Sequence, residues 1–374
     1  VMEPGADPRA VEIPQLALAI NTTDLAGTVR VTADGSATID GSQAGLLKAD
    51  LTAGGLLNAQ GAPIVGLPAQ LQGSAELREF VTALAQPFVA DLGLDLTKDL
   101  GPTLNVRVDA NTTPSQAGTP AGALPPLTAT LTASSQHMNA AAAIIRDENS
   151  VVRTVRDGIT FRLDSAGAMA SAIMAKAAAT ADTTNSSTAA PAPSFTLSPI
   201  GALALSITDL VLPMPANAPD LANASAKFRV NAQGFAANAA AGDPLDLDTI
   251  ALSGTLAPAN APTPGLTSTL EGNLRYGQRP IRLSGDASVP GLGAALAGKD
   301  GLANLLNQKL LAINTLKPQA RLALTGIPAE IAGVAAAPTT PTTNADPNAA
   351  APMDLVAVVR EAVGPVMDVN LSLT

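Results

Sequence analysis

His137 is the single histidine of the sequence, so any Ser-His-Asp triad would have to be built around it. No Gly-x-Ser-x-Gly elbow is present to supply the nucleophile. Its setting, after Leu131 and before the Ala-rich run to Ile145, reads as an ordinary strand position. Asp243, Asp246 and Asp248 form the only short carboxylate cluster. Closely spaced Asp oxygens suit calcium, but the Gly and distal Glu of a calcium loop are missing and Pro244 interrupts the run. The stretch reads as a solvated turn leading into a strand at Ile250, and Asp147-Glu148-Asn149 as a hairpin tip. Gly291-Leu292-Gly293 lacks the third glycine of a dinucleotide fingerprint and has no βαβ alternation around it. There is no cysteine, which excludes a disulfide framework, a thiolate zinc site and a Cys nucleophile. The sequence offers no catalytic, cofactor-binding or metal-ligating residue, and no enzymatic reaction is expected of it.

What it offers instead is aliphatic surface. Apolar residues make up 47% of the chain but aromatics only 2%, so stability must rest on backbone pairing and many small aliphatic contacts rather than on aromatic burial. Those aliphatics alternate with polar residues at a period of two. Val29 and Val31 face one way and Arg30 and Thr32 the other; Leu104, Val106 and Val108 alternate with Asn105, Arg107 and Asp109. The same holds around Leu131, around Ile159, Phe161 and Leu163, and around Phe228 and Val230. Such strands have one greasy and one wet face and belong to antiparallel sheets, with meanders as the simplest connection. The expected fold is mainly β: curved antiparallel meander sheets forming an apolar groove, with a few short amphipathic helices over edges or ends. A net charge of −10 without clustered Lys or Arg argues against nucleic acid and against electrostatic docking to anionic lipid. No apolar run approaches the roughly 18 residues of a membrane-spanning helix.

Spacing at three and four predicts amphipathic helices over 76–92, from Asp300 to Ile313 and from Met353 to Ala362, with a weaker one over 168–179. Asp34-Gly35 and Asp157-Gly158 read as turn dipeptides. Two landmarks recur about 260 residues apart: Gly66-Leu67-Pro68-Ala69 with Gly326-Ile327-Pro328-Ala329, and Gly101-Pro102 with Gly364-Pro365, each of the latter pair leading an alternating strand. The division that follows takes residues 1–110 as the end of one module, with strands, a helix over 76–92 and a strand over 103–109. Residues 111–334 form a β-meander module carrying a low-complexity insert over 180–194. A second such insert covers 335–352, and 353–374 start the next module with a helix and a strand.

Two packings fit these strands: a closed sandwich, in which two apolar faces seal each other, or one sheet whose apolar floor stays open to acyl chains. The Gly-Leu/Ile-Pro-Ala step, the helix after it, the Gly-Pro-led strand and the meander from Leu127 to Leu163 together resemble the AsmA-like superfamily. That superfamily of envelope proteins includes TamB-type and bridge-like lipid transfer proteins, and the chain is similar to a fragment of a long, Ala-rich, repeat-containing bacterial member. The resemblance implies a periplasmic or cell-envelope location and an inner-membrane anchor in a segment not present here. It also implies phospholipid acyl chains as partners, other envelope proteins beside them, and lipid transport or outer-membrane homeostasis as the task. The residues expected to line the groove are Val29, Val31, Leu104, Val106, Val108, Leu131, Ile159, Phe161, Leu163, Phe228 and Val230. The alternative is a structural or adhesive surface protein built of repeated β-sandwich modules.

Overall fold

The computed structural model describes residues 11–22, 27–57, 62, 70–89, 95–113, 125–167, 196–197, 201–215, 219–238, 244–295, 316–328 and 366–373. Within these described residues sixteen strands form one antiparallel sheet. They are β1 (Val11–Thr22), β2 (Thr28–Ile39), β3 (Ser42–Gly54), β4 (Gln70–Val81), β5 (Thr103–Thr112), β6 (Leu127–Ser135), β7 (Met138–Arg146) and β8 (Val151–Leu163), then β9 (Thr196–Leu197), β10 (Ala202–Pro213), β11 (Ser225–Asn238), β12 (Leu245–Ala257), β13 (Gly265–Tyr276), β14 (Arg279–Pro290), β15 (Gln319–Pro328) and β16 (Val366–Leu373). Neighbours in sequence are neighbours in the sheet, so the whole is a meander; β9 pairs with β11 in line with β10 and shares its lane. The period-two pattern dictates this arrangement, because each strand has a single face to bury and a hairpin brings like faces together.

The helix expected over 76–92 is not what forms. Residues up to Val81 belong to β4, followed by a 3₁₀ turn (Thr82–Leu84) and a short helix α1 (Gln86–Val89). The reason is a β-bulge. Leu77 pairs with Val106 and Phe80 with Leu104, so three residues of β4 oppose two of β5, and Glu79 takes up the extra residue at φ 51°. That bulge keeps Leu77 and Phe80 on one face while imitating helical spacing in the sequence. The two Asp-Gly readings also change. Asp34-Gly35 lies inside β2, and the turn between β2 and β3 is Asp40-Gly41, both at positive φ (51° and 78°) as a two-residue type I′ hairpin requires. Asp157-Gly158 is a bulge within β8, where Gly158 sits at φ 77° and a Cβ would come 2.1 Å from the Ile207 carbonyl oxygen of β10. His137 is likewise not in a strand but in the tight link between β6 and β7, where its backbone N–H donates to Leu100 O.

The helices expected over 168–179, 300–313 and 353–362 and the inserts over 180–194 and 335–352 lie outside the described residues. Gly326-Ile327-Pro328 closes β15, and the first landmark step, residues 66–69, lies outside the described residues. Short helices sit at strand ends, α2 (Leu96–Asp99) with α1 near the β6–β7 link and α3 (Leu292–Ala295) against the Leu221–Asn223 turn. Full burial is concentrated there too. Leu274, Ile281 and Ile327 form one buried cluster, with Leu245, Leu247, Tyr276, Leu283, Leu324, Met367 and Val369 packed on it. No second sheet faces the first among the described residues, so the sealed sandwich is not the packing seen.

Candidate functional site

Directly paired residues of an antiparallel ladder project to the same side, so the register traces a face from lane to lane. One row runs Leu16, Gly35, Leu47, Leu77, Val106, Ala133, Ala140, Phe161, Leu205, Val230, Leu252, Leu270, Gly285, Leu322 and Leu371, crossing every lane without a polar side chain. The row one residue away on the other face runs Ala17, Asp34, Lys48, Glu76, Arg107, Thr132, Ala141, Thr160, Ser206, Arg229, Ser253, Thr269, Asp286, Arg321 and Ser372, and is polar at all but two positions. A one-residue slip anywhere would carry every leucine into water on the wet side, which is what holds the register. At a strand separation of about 4.8 Å the apolar row is roughly 65 Å long. A bilayer's hydrocarbon core is about 30 Å thick, so two acyl chains end to end would cover less than half of it.

All eleven residues singled out from the sequence lie on this apolar face. Val29 and Val31 pair with Ala53 and Leu51 of β3; Leu104, Val106 and Val108 pair with Phe80, Leu77 and Ala75 of β4. Leu131 opposes Val108 and Ala142. Ile159, Phe161 and Leu163 oppose Ile207, Leu205 and Leu203, and Phe228 and Val230 oppose Ile207 and Leu205 from the other side. Leu163 is fully buried and Leu131 is 39% exposed, while the other nine are half-buried. Half-burial is what flanking strands alone provide; a covering layer would bring these side chains close to zero. On edge strand β1, Leu16, Leu18 and Ile20 are about three-fifths exposed. The face is a broad hydrocarbon surface of the kind that soluble monomers rarely leave bare.

The opposite face is a lattice of charge pairs. Arg30 donates to both Asp50 oxygens at 2.8 and 2.6 Å, and Arg275 to both Asp248 oxygens at 2.7 and 2.8 Å. Arg107 grips Asp109, two residues along the same strand, at 2.8 and 2.7 Å. These hydrogen bonds hold the Asp50, Asp109 and Asp248 carboxyls below the usual carboxylate range and raise the arginines above theirs. All are exposed to solvent, so each pair contributes little to stability and much to keeping this face wet. Depressions of the sheet surface lie on this side, one walled by Ser206, Thr208, Lys227, Arg229, Ser253 and Thr255, another by Glu271, Ser284, Asp286 and Arg321.

The carboxylate cluster read as a turn is inside β12: Asp246 and Asp248 both reach Arg275, at 3.7 and 2.7 Å, which uses them as counterions, and Asp243 lies outside the described residues. Asp147 does sit at the β7–β8 hairpin tip, accepting from the N–H groups of Asn149 and Val151. Among the described residues no group of three His, Asp or Glu side chains converges as a metal site, and no helix is long and apolar enough to cross a membrane. One polar residue that sequence reasoning passed over belongs to the apolar face. Arg146, at the end of β7, is in phase with Ala140, Ala142 and Ile144 and is 3% exposed. Comparison of the chain with protein-family models, with curated proteins and with solved structures finds no match.

Proposed function

We propose that this chain is a non-enzymatic segment of a bacterial cell-envelope protein that binds or conducts lipid acyl chains along the apolar face of its sheet. The observation that carries the reading is the row that crosses every lane without a polar side chain, half-buried through most of the sheet, exposed at its edges and backed by a wet, charge-paired face. Aliphatic side chains offer hydrocarbon contact without directional bonds, so acyl chains can lie on them and slide along them. The resemblance to AsmA-like, TamB-type and bridge-like lipid transfer proteins supports a phospholipid cargo, a periplasmic location and a task in lipid transport or outer-membrane homeostasis.

The test is lipid co-purification. Mass spectrometry of extracted wild-type protein finds phospholipid, and Ser at Val106, Leu131, Phe161 and Val230 together removes it while circular dichroism still reports the sheet. A wild-type protein free of lipid after expression in a Gram-negative host overturns the reading.

A further inference from the structure

The outer edge of β1 is unguarded. Among the described residues no strand pairs with β1 on the side away from β2. Sheet edges are ordinarily protected by charge, by proline or by shortness, because their free N–H and C=O groups template another strand. β1 runs for 12 residues, and its two guards, Glu12 and Pro14, both lie in its first part, at the register irregularity between Glu12 and Gln15. From Gln15 to Thr22 it carries neither charge nor proline. What its apolar side lacks is a neighbouring lane rather than a cover. Leu47, on the same row two lanes inward and with a strand on either side, is 37% exposed, whereas Leu16 is 61% exposed. Leu18 and Ile20 resemble Leu16, at 62% each.

Parity selects the strand that fits. The lanes number fifteen, so β1 and β16 run in the same direction, and copies stacked head to tail would put a parallel pair, β16 on β1, into a sheet that is otherwise antiparallel. Two copies of β1 related by a two-fold axis normal to the sheet are antiparallel, and that axis keeps both apolar faces on one side. We propose that the outer edge of β1 is a self-association surface whose partner is β1 of a second copy, joined through backbone hydrogen bonds into one continuous sheet. Leu16, Leu18 and Ile20 share the apolar face, so like faces meet only where paired residue numbers add to an even sum. The register centred on Leu18 meets that condition over the uncharged stretch. Leu18 faces the partner's Leu18, Leu16 the partner's Ile20, Ala17 the partner's Ala19 and Gln15 the partner's Asn21, while Pro14, with no N–H to give, falls at the end of the ladder. No charge enters the joint. β16, with 8 residues and Asp368 among them, offers a shorter uncharged run. The inference stands on this edge alone and goes beyond the lipid reading, although the joined sheet would extend the apolar face to about 140 Å.

The chain has no cysteine, so an introduced one reports the joint without background. The full chain is held in neutral maltoside, which coats the apolar face, and is oxidised mildly before non-reducing electrophoresis. Leu18→Cys lies on the two-fold axis, where directly opposed residues stand about 4.5–5.5 Å apart, and gives a disulfide-linked dimer. Ala17→Cys alone stands about 7–8 Å from its own copy and gives little, whereas Ala17→Cys mixed with Ala19→Cys gives the dimer again. Sedimentation velocity supplies the second readout, in which wild type dimerises reversibly. Ala17→Lys combined with Ala19→Lys, both on the wet face, sets like charges opposite each other across the joint. It raises the dissociation constant by about tenfold or more while circular dichroism reports the same sheet. A wild type that stays monomeric, a Leu18→Cys chain that forms no dimer, or association that the paired lysines leave untouched overturns the assignment. A disulfide between Leu18→Cys and Leu371→Cys chains, with none in Leu18→Cys alone, means a head-to-tail joint through β16 and overturns it as well. None of these outcomes decides lipid retention, which co-purification reads separately.

Discussion

Replacing Leu131 by Ala separates an uncovered face from a sealed core. Leu131 opposes Val108 and Ala142 on the apolar side and keeps 39% of its surface exposed. The substitution removes three carbons, worth about 0.8 kcal/mol each when fully buried. Scaling by the share that is buried gives about 1.5 kcal/mol, with no cavity penalty, since the space vacated opens on solvent. Leu163, on the same face two lanes along and 0% exposed, provides the contrast: Leu163→Ala leaves a closed void and costs about 2.7–5 kcal/mol. The assay is urea unfolding of delipidated protein followed by circular dichroism, with m unchanged between variants so that midpoints compare directly. A loss of about 3 kcal/mol or more for Leu131→Ala, equal to that for Leu163→Ala, would mean that the face is covered and would refute the reasoning.

Gly158→Ala places a Cβ 2.1 Å from Ile207 O at a φ of 77°, so β8 and β10 must part there; a loss of at least about 2 kcal/mol is expected, readable as a lowered urea midpoint. Asp50, Asp109 and Asp248 have depressed pKa values in the fold, so their contribution is present in full above the ordinary value of about 4 and is lost as pH falls through the lower folded values. Melting temperature is accordingly expected to be level near neutrality and to fall in acid below about pH 4, by less at high salt because these pairs are exposed. Asp99 has the opposite sign. It is 4% exposed, its carboxylate accepts from Asp95 N–H at 3.0 Å, and burial raises its pKa, so stability is lost as pH rises through the folded value. Asp99→Asn, which can still accept that bond, should melt higher than wild type at neutral pH and level with it below about pH 4.

The strands were legible because one period governs them: wherever aliphatic and polar residues alternate, as from Leu104 to Asp109, one sheet face is written directly into the chain. Bulges were not. Glu79 and Gly158 insert residues that shift the phase, so Leu77 and Phe80 imitate a helix and Asp157-Gly158 imitates a turn, although both stretches stay in strands. A bulge is chosen by the partner strand's register, which is information that no local window contains. The same limit hid Arg146. Strand β7 is apolar on both sides, with Ala140, Ala142 and Ile144 on one and Ala141, Ala143 and Ile145 on the other. Sequence alone therefore cannot say which face its terminal arginine joins; pairing with Leu127 decides it. His137 read as a strand residue because the link between β6 and β7 is so short that the alternation runs nearly through it.

The most direct test of an apolar face that carries acyl chains is positional photocrosslinking. p-Benzoylphenylalanine is placed singly at positions 104 to 109 of β5, the protein is illuminated in the presence of radiolabelled phospholipid, and label on the protein is counted. Adducts strong at Leu104, Val106 and Val108 and weak at Asn105, Arg107 and Asp109 are the predicted result, because alternate residues project to opposite faces. Equal labelling at all six positions, or none at any, would contradict it.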